Sequence, residues 1–283
     1  MNKDVTIVIL THKSKKLVLN YIINLYKKFK IIIIDNSQDK DLENLIKKKY
    51  PDIEIHLIPN NGYSNQINYG RKFIKTEYFL ISNPDVKGID EVSIQNFVKV
   101  SRQLNNEFSV LGPRYLDVNP KSIKQSKSND MIAEMRFLSG ACMFFYKNNY
   151  DLIGGFDNNY FLYFEENDYC FRSKNFYKNY QINSIKVYHD AGNSVLSKNE
   201  NEIKDQRDLR SWHFVWSKFY YYKKNYSFLH AIIIFIPILV RTILKVFYYK
   251  IKSDKINYIK YQNRLSGMIS SIRGEKSFKR PKF

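Results

Sequence analysis

Three carboxylates fall within four residues, at Glu165, Glu166 and Asp168, directly after the aromatic run Phe161-Leu162-Tyr163-Phe164. Acids in the first turn of a helix are ordinary, because they complement its dipole. The aromatic wall beside them adds something, since apolar neighbours raise a carboxylate's pKa and make it a useful proton acceptor. Two further acids stand where short apolar runs end. Asp35 follows four isoleucines, and a carboxylate there is costly to bury without donors to accept. Those donors are either the N–H groups of a turn or cap, or the imide N–H of uracil or thymine. Asp85 closes Asn83-Pro84-Asp85, where Pro84 fixes the backbone just past a strand end. Presented so, it makes a Pro-Asp turn or holds a hard divalent cation together with phosphate oxygens. His189 ends the run Ile182–Tyr188. Alone it reads as structural; beside a cation held by Asp85 it is a nitrogen ligand.

The elements that must position these residues alternate. Val5–Leu10, Ile31–Ile34, Ile53–Ile58 and Tyr78–Ile81 are short β-branched or aromatic runs and read as buried strands. Between them, Lys15–Lys27, Asp41–Lys49 and Ser64–Ile74 read as helices, the last with Ser64 as its N-cap. Strands alternating with helices predict an α/β fold, a mostly parallel sheet with helices on both faces. Such sheets bind ligands at the carboxyl ends of their strands, where Asp35 and Asp85 fall. After a helix over Asp90–Leu104 and a strand at Ser109–Leu111, Pro113–Met131 reads as loop. Phe137–Tyr146 reads as a strand interrupted at Ser139-Gly140, and a helix runs from the acidic cluster to about Phe176. Asn193–Asp205 reads as a mobile loop, and from Leu209 the chain is helical, aromatic and basic.

Of the net charge of +19, residues 201–283 carry +13, from 18 Lys/Arg against 5 Asp/Glu. A basic segment of that kind seeks an anionic surface, nucleic acid or acidic lipid. Cys142 and Cys170 lie in apolar surroundings, outside any metal-ligand spacing, and read as buried free thiols. Residues 1–13 lack the long apolar region of a signal peptide, which predicts a cytoplasmic protein.

In this order the segments resemble the family 2 glycosyltransferases of GT-A fold, and most closely the rhamnosyltransferase-type enzymes of bacterial surface-polysaccharide assembly. The likeness rests on Val5 to His12, Ile34-Asp35-Asn36-Ser37, Asn60-Asn61-Gly62-Tyr63 with Asn68 and Gly70, and Leu80 to Asp85. It continues through Leu138 to Met143, Gly154-Gly155-Phe156-Asp157, Phe161 to Arg172, and Val187-Tyr188-His189. The resemblance implies a nucleotide-sugar pocket lined by Thr11, Asp35 (on the base), Gly62, Asn68, Asn83 and Asp85. It implies Mn²⁺ or Mg²⁺ at Asp85, with His189 as a further ligand, and Glu166 as catalytic base in a cluster with Glu165 and Asp168. Three positions depart from the pattern: Asn83 replaces the usual first aspartate, His12-Lys13 a Tyr-Asn pair, and Glu165-Glu166 a Glu-Asp pair.

The implied reaction is a single displacement. Glu166 takes a proton from an acceptor hydroxyl, whose oxygen attacks the anomeric carbon and inverts it while the nucleoside diphosphate leaves. The implied partners are a dTDP- or UDP-linked sugar and a saccharide acceptor, itself linked to polyprenyl diphosphate. Residues 1–205 are expected to form the catalytic domain and 206–283 a helical, membrane-associating region. Within the latter, Phe228–Val240 is almost wholly apolar, and Arg241 and Lys245 fall four apart. That predicts a helix lying in the interface of the inner membrane face, the alternatives being an ordinary helical subdomain packed on the catalytic domain and a helix that spans the membrane. Trp212, Trp216 and Tyr220–Tyr222 with Lys223-Lys224 are expected to form an aromatic and basic belt around it. A nucleic-acid-binding protein would spread its basic residues over a polar face, whereas here they surround an apolar stretch, so nucleic acid is not an expected partner. A nucleotidyltransferase would want a glycine-rich loop after the first strand, and residues 11–18 contain no glycine. A non-catalytic scaffold is disfavoured by intact Asp35, Asp85 and Glu166.

Overall fold

The computed structural model describes residues 2–116, 125–128, 130–189 and 199–282. The chain forms two compact units. The first holds Met1–Asn61, Asn65–Phe156 and Tyr169–Leu196; the second holds Gly62–Ser64, Asp157–Asp168 and Ser197–Phe283.

The first unit is built on one nine-stranded sheet. Its elements are β1 (Asn2–Thr11), α1 (Lys15–Ile22), β2 (Phe29–Asp35), α2 (Lys40–Lys49), β3 (Glu54–Leu57), α3 (Tyr63–Arg71), β4 (Tyr78–Ser82), β5 (Val86–Lys87) and α4 (Glu91–Gln103). They continue with β6 (Val110–Tyr115), β7 (Ile132–Met135), β8 (Cys142–Tyr146), α5 (Lys147–Ile153), α6 (Glu165–Ser173) and β9 (Asn179–His189). The first residues of α3 (Tyr63 and Ser64) and of α6 (Glu165 to Asp168) belong to the second unit. The order is β3-β2-β1-β4-β8-β6-β9-β5, with β7 also on β9. The β3-β2-β1-β4 half is wholly parallel. Beyond it β8 runs antiparallel to β4 and β6, so the sheet as a whole is mixed.

The strand runs are continuously apolar because both faces are covered: Val5, Ile7, Val8 and Ile9 are all buried, as are Ile31 to Ile34. Register then sets the site. Thr11 pairs with Asp35 and Ile9 with Ser82, which brings the carboxyl ends of β1, β2 and β4 level. At the far edge Val86 pairs with His189.

Several boundaries differ from the sequence reading. Helix α1 ends at Ile22 rather than Lys27, and Lys27 takes φ +64° as the chain turns back to begin β2. Ser64 is not a cap but a buried residue within α3. Strand β6 runs on through Pro113 to Tyr115, while the strand expected from Phe137 begins at Cys142. Strand β7 and helix α5 were not anticipated. Of the expected loop over Asn193–Asp205, the part up to residue 198 lies outside the described residues, and the rest enters a helix at Glu200.

The second unit contains α7 (Glu200–Asn225), α8 (Phe228–Ile251) and α9 (Lys255–Ile272). Val215, Phe219, Ala231, Phe235 and Met268 form its apolar centre. Helix α8 has 24 residues, about 36 Å at 1.5 Å per residue, and is long and apolar enough to cross a membrane. The expected aromatic belt is absent from this region. Trp212, Trp216 and Tyr221 are buried, and the indole N–H groups of the tryptophans donate to Ser266 Oγ and the Glu275 carbonyl. Indoles satisfied inside the protein need no headgroup region.

Helices α7 and α9 meet at Gly267, where an added Cβ would run into the carbonyl oxygen of Trp212. Gly267→Ala forces that crossing apart. Overpacking of this kind typically costs ~1–3 kcal/mol. Urea unfolding followed by tryptophan fluorescence should show the loss, and a midpoint at the wild-type value would show the crossing to be compliant.

Candidate active site

In the first unit the carboxyl ends of β1 and β2 carry a buried polar network. Gln66 Nε2 donates to the carbonyls of Thr11 (3.0 Å) and Ile34 (2.8 Å). Asn36 Nδ2 donates to Gln66 Oε1 (3.2 Å) and Asn60 Oδ1 (3.1 Å). The His12 ring reaches Asn36 Oδ1 at 2.7 Å. Burial holds the His12 pKa below its ordinary value, so the ring is neutral at pH 7. Thr11 Oγ1 is buried with no hydrogen-bond partner among the described residues. The sequence reading gave Asn36 no role of its own within Ile34-Asp35-Asn36-Ser37, and Gln66 lies in none of the quoted motifs, so neither was expected in this network.

Asp35 is fully buried. Its Oδ1 accepts from Ser37 N (3.2 Å) and Ser37 Oγ (2.6 Å), and its Oδ2 from Asp39 N (2.7 Å). It therefore fixes the turn after β2, the structural alternative weighed for it in the sequence. Asn68 is similarly occupied. Its Oδ1 accepts from Tyr150 Oη (2.9 Å) and Phe156 N (3.2 Å), and its Nδ2 donates to the Phe156 carbonyl (2.7 Å). Asn68 thus clamps the Gly154-Gly155-Phe156 turn.

Asp85 contrasts with both. It is 1% exposed, and neither carboxylate oxygen has a hydrogen-bond partner among the described residues. The loop before it is pinned by Asn83 N donating to the Ala141 carbonyl (2.9 Å) and Val86 N donating to the Asn83 carbonyl (3.2 Å). The β5–β9 register places His189 beside it, with Nε2 3.5 Å from Asp85 Oδ2. An ionised carboxylate so buried is costly unless a cation compensates it. The spacing is close to the ~3 Å between adjacent ligands of an octahedral ion with 2.0–2.1 Å bonds. A divalent metal therefore fits the residues present. Among the described residues no group of three or more His, Cys, Asp or Glu surrounds it.

In the second unit the acidic cluster opens α6. Tyr163 and Phe164, just before it, hold φ of +69° and +68°. Two consecutive bulky residues in the left-handed region are strained, and strain of this kind gathers at functional sites. Gly62 faces the same segment: at φ +98°, a Cβ there would strike the backbone of Phe161. Glu165 is buried, Glu166 half-buried, and one oxygen of each is covered with no hydrogen-bond partner among the described residues. Burial raises both carboxyls above the ordinary range, and the Glu166 charge raises Glu165 further. Asn167 Nδ2 donates to Glu166 Oε1 at 3.3 Å, which favours the charge on Glu166. Burial thus pushes both glutamates toward the protonated form, and the hydrogen bonds made to Glu166 oppose that at Glu166.

Asp168 is placed differently. Fully buried, it accepts from Lys224 Nζ (2.9 Å) and Asn225 Nδ2 (2.9 Å) at the end of α7. The same ammonium reaches Asp157 Oδ2 at 2.7 Å, and Tyr220 Oη donates to that oxygen at 3.0 Å. Ser217 Oγ donates to the Leu162 carbonyl (2.8 Å), and His213 stacks on Phe161 at 4.6 Å. One face of α7 thus holds the whole 157–168 segment. Sequence reasoning missed Lys224 because one lysine in a Lys-Lys pair of a lysine-rich chain carries no local signal.

The family model for glycosyl transferase family 2 matches residues 6–158. The chain belongs to glycosyl transferase family 2. The low-salt glycan biosynthesis hexosyltransferase Agl10 of Haloferax volcanii is 22% identical over 199 residues. That alignment covers 62% of this chain and 62% of Agl10, so the chain spans under two thirds of that relative. Among solved structures, the mannosyltransferase PcManGT of Pyrobaculum calidifontis, in complex with GDP-Man and Mn²⁺, has 12% identity and a TM-score of 0.58 over 98% of this chain and 89% of its own. S. aureus TarS 1-349 in complex with UDP-GlcNAc has 12% identity and a TM-score of 0.54 over 96% and 92%. These likenesses concern the fold, and they agree with the GT-A architecture expected from the sequence.

Lys224→Met would leave two carboxylates without their shared cation. Removing one partner of a buried pair costs ~3–5 kcal/mol. The lysine side chain is 27% exposed, so solvent takes up part of that loss and ~1–3 kcal/mol is expected. Adding Asp168→Asn should recover part of it in a double-mutant cycle. Strict additivity of the two stability losses would show that the bridge does not couple them.

Proposed function

We propose that this chain is an inverting, metal-dependent glycosyltransferase. It moves rhamnose or a hexose from a dTDP- or UDP-linked sugar to a saccharide acceptor carried on polyprenyl diphosphate, in polysaccharide assembly. The observation that carries the reading is Asp85, a buried carboxylate with no hydrogen-bond partner among the described residues, beside an imidazole. That donor set calls for a cation, and the ligands still missing are those a diphosphate supplies. Bound there, the cation would stabilise charge on the departing nucleoside diphosphate. One imidazole among oxygen donors favours Mn²⁺ over Mg²⁺, which rarely takes nitrogen in such sites.

The chain's own groups do the rest. Thr11, Asn83 and the Asp35 turn form the nucleotide side, and the pyrimidine preference rests on the family resemblance at Asp35 and Asn83-Pro84-Asp85. By the family resemblance Gly62 and Asn68 belong with them; Gly62 lies against the Phe161 backbone, and Asn68 clamps the Gly154-Gly155-Phe156 turn. Glu166 accepts the proton of the attacking hydroxyl, and Glu165, protonated beside it, keeps the pair at a single negative charge. Asp168 positions the segment through Lys224. Residues 1–205 carry the transfer chemistry, and 206–283 hold the base-bearing segment and associate with the cytoplasmic face of the membrane. For that association α8 offers length and apolar composition.

With Mn²⁺ present, dTDP- and UDP-sugars should bind in a calorimetric titration, and Asp85→Ala should abolish that binding or its metal dependence. His189→Ala should weaken it less. Preferential binding of purine-nucleotide sugars, or full turnover in excess EDTA, would refute the respective part. The product anomer, read by proton NMR, should be inverted.

Glu166→Gln should leave donor affinity near wild type while kcat falls ~10²–10⁴-fold. A base works only when ionised, so activity falls as pH drops through its pKa. Because burial raises that pKa, the acidic limb of the kcat/KM profile should lie above the ordinary carboxylate range. Glu165, protonated in the pair, carries no charge to remove, so Glu165→Gln should leave the limb near its wild-type position; a downward move would show Glu165 to be ionised. A Glu166→Gln enzyme with normal kcat would move the base to a neighbour.

A further inference from the structure

Within the second unit, α7, α8 and α9 enclose a cavity of about 360 Å³. Three of its lining residues are cations, Lys218, Arg241 and Arg264; the others include Tyr261 and the apolar Phe235 and Ile238. No carboxylate lines the cavity, and among the described residues no ion pair engages any of the three cations. Lys218 and Arg264 are half-buried, and Arg241 is exposed at the mouth. Burial, then the Arg264 guanidinium, hold the Lys218 ammonium below its ordinary pKa. Aromatic faces offset part of this charge, with Lys218 5.9 Å from the Phe235 centroid and Arg264 5.6 Å from that of Tyr261, but three like charges beside an apolar wall still favour an anion to complete the site.

The wall has a second property. Along α8, Leu229, Ile233, Ile236, Val240, Leu244 and Phe247 are all more than half exposed. Their spacing of three and four residues forms one continuous apolar stripe on a helix about 36 Å long. A stripe of that length is normally covered by protein or lipid. Arg241 and Thr242 lie on the same helix, on the side that lines the cavity.

We propose that this cavity binds the diphosphate head of a membrane-embedded amphiphile, whose hydrocarbon chain lies along the exposed stripe of α8. Three cations without a carboxylate match a multiply charged head better than the single charge of an ordinary phospholipid. The apolar stripe running beside the cavity separates such an amphiphile from free pyrophosphate. The inference rests on the transferase reading only in naming the natural ligand as the acceptor's carrier; the binding itself stands apart from transfer.

The test is co-sedimentation of the full chain with three kinds of vesicle: phosphatidylcholine alone, phosphatidylcholine with phosphatidylglycerol, and phosphatidylcholine with a polyprenyl diphosphate. Donor binding and thermal melting are measured in parallel. The diphosphate vesicles should retain the protein best, and Lys218→Gln and Arg264→Gln should each weaken that retention by about fivefold, the scale of one cation at an anionic surface. Retention on phosphatidylglycerol should change little in these variants. Should either variant melt early, Arg241→Glu at the exposed mouth reads the same effect without disturbing the helix packing. Equal retention on phosphatidylglycerol, full competition by inorganic pyrophosphate, or retention unchanged by all three substitutions would overturn the proposal. Loss of donor binding in the wild-type chain would count against the transferase reading alone.

Discussion

A carboxylate taken out of water costs several kcal/mol unless something compensates it, and this chain withdraws Asp35, Asp85, Glu165, Glu166 and Asp168. Each is compensated differently, and the difference sorts their roles. Asp35 accepts from two backbone N–H groups and a serine hydroxyl, which makes it the anchor of a turn. Asp168 takes an ammonium and an amide from α7, which makes it an anchor for the segment before it. Among the described residues the glutamate pair is compensated by no ammonium or other cation, and burial raises the pKa of both members. Among the described residues Asp85 has the nearby His189 imidazole and no hydrogen-bond partner. It is the least satisfied of the five, which is why the proposed cation is put there.

Much of this was legible in the sequence. The strand runs and their polar endings placed Asp35 and Asp85 at carboxyl edges, because continuous β-branched runs have few alternatives to a buried parallel strand. Spacing could also mark the acidic cluster. It could not sort the cluster, because Glu165, Glu166 and Asp168 differ in what faces them, and Lys224 and Asn225 arrive from 56 and 57 residues further on. Asn68 shows the same limit: an amide in a family motif looks like a ligand contact, and only the fold reveals its three bonds to Tyr150 and Phe156. His189 needed strand register, set by a two-residue strand too short to leave a pattern.

The C-terminal third misled in an informative way. Aromatic residues interleaved with lysines are the composition of an interfacial belt, and equally of a helix that packs its aromatic face while spending its lysine on buried acids. Composition cannot tell these apart, since Trp and Tyr suit any place where one end is apolar and the other finds a partner. In the fold, Trp212, Trp216, Tyr220 and Lys224 all face inward to their own unit. The apolar surface left over belongs to α8.

That division assigns α7 and α8 different tasks within one compact unit. Along one stretch α7 grips the segment that bears Glu166, through Ser217, Tyr220 and Lys224. One residue along from Ser217, Lys218 enters the cavity shared with α8 and α9. Adjacent residues on a helix point about 100° apart, so a single turn can face two neighbours at once. One turn of α7 therefore reaches both the cavity, at Lys218, and the Leu162 carbonyl, at Ser217, three residues before Glu165. The left-handed Tyr163 and Phe164 lie in that interval, so α7 holds the chain just before its most strained backbone and the acidic cluster.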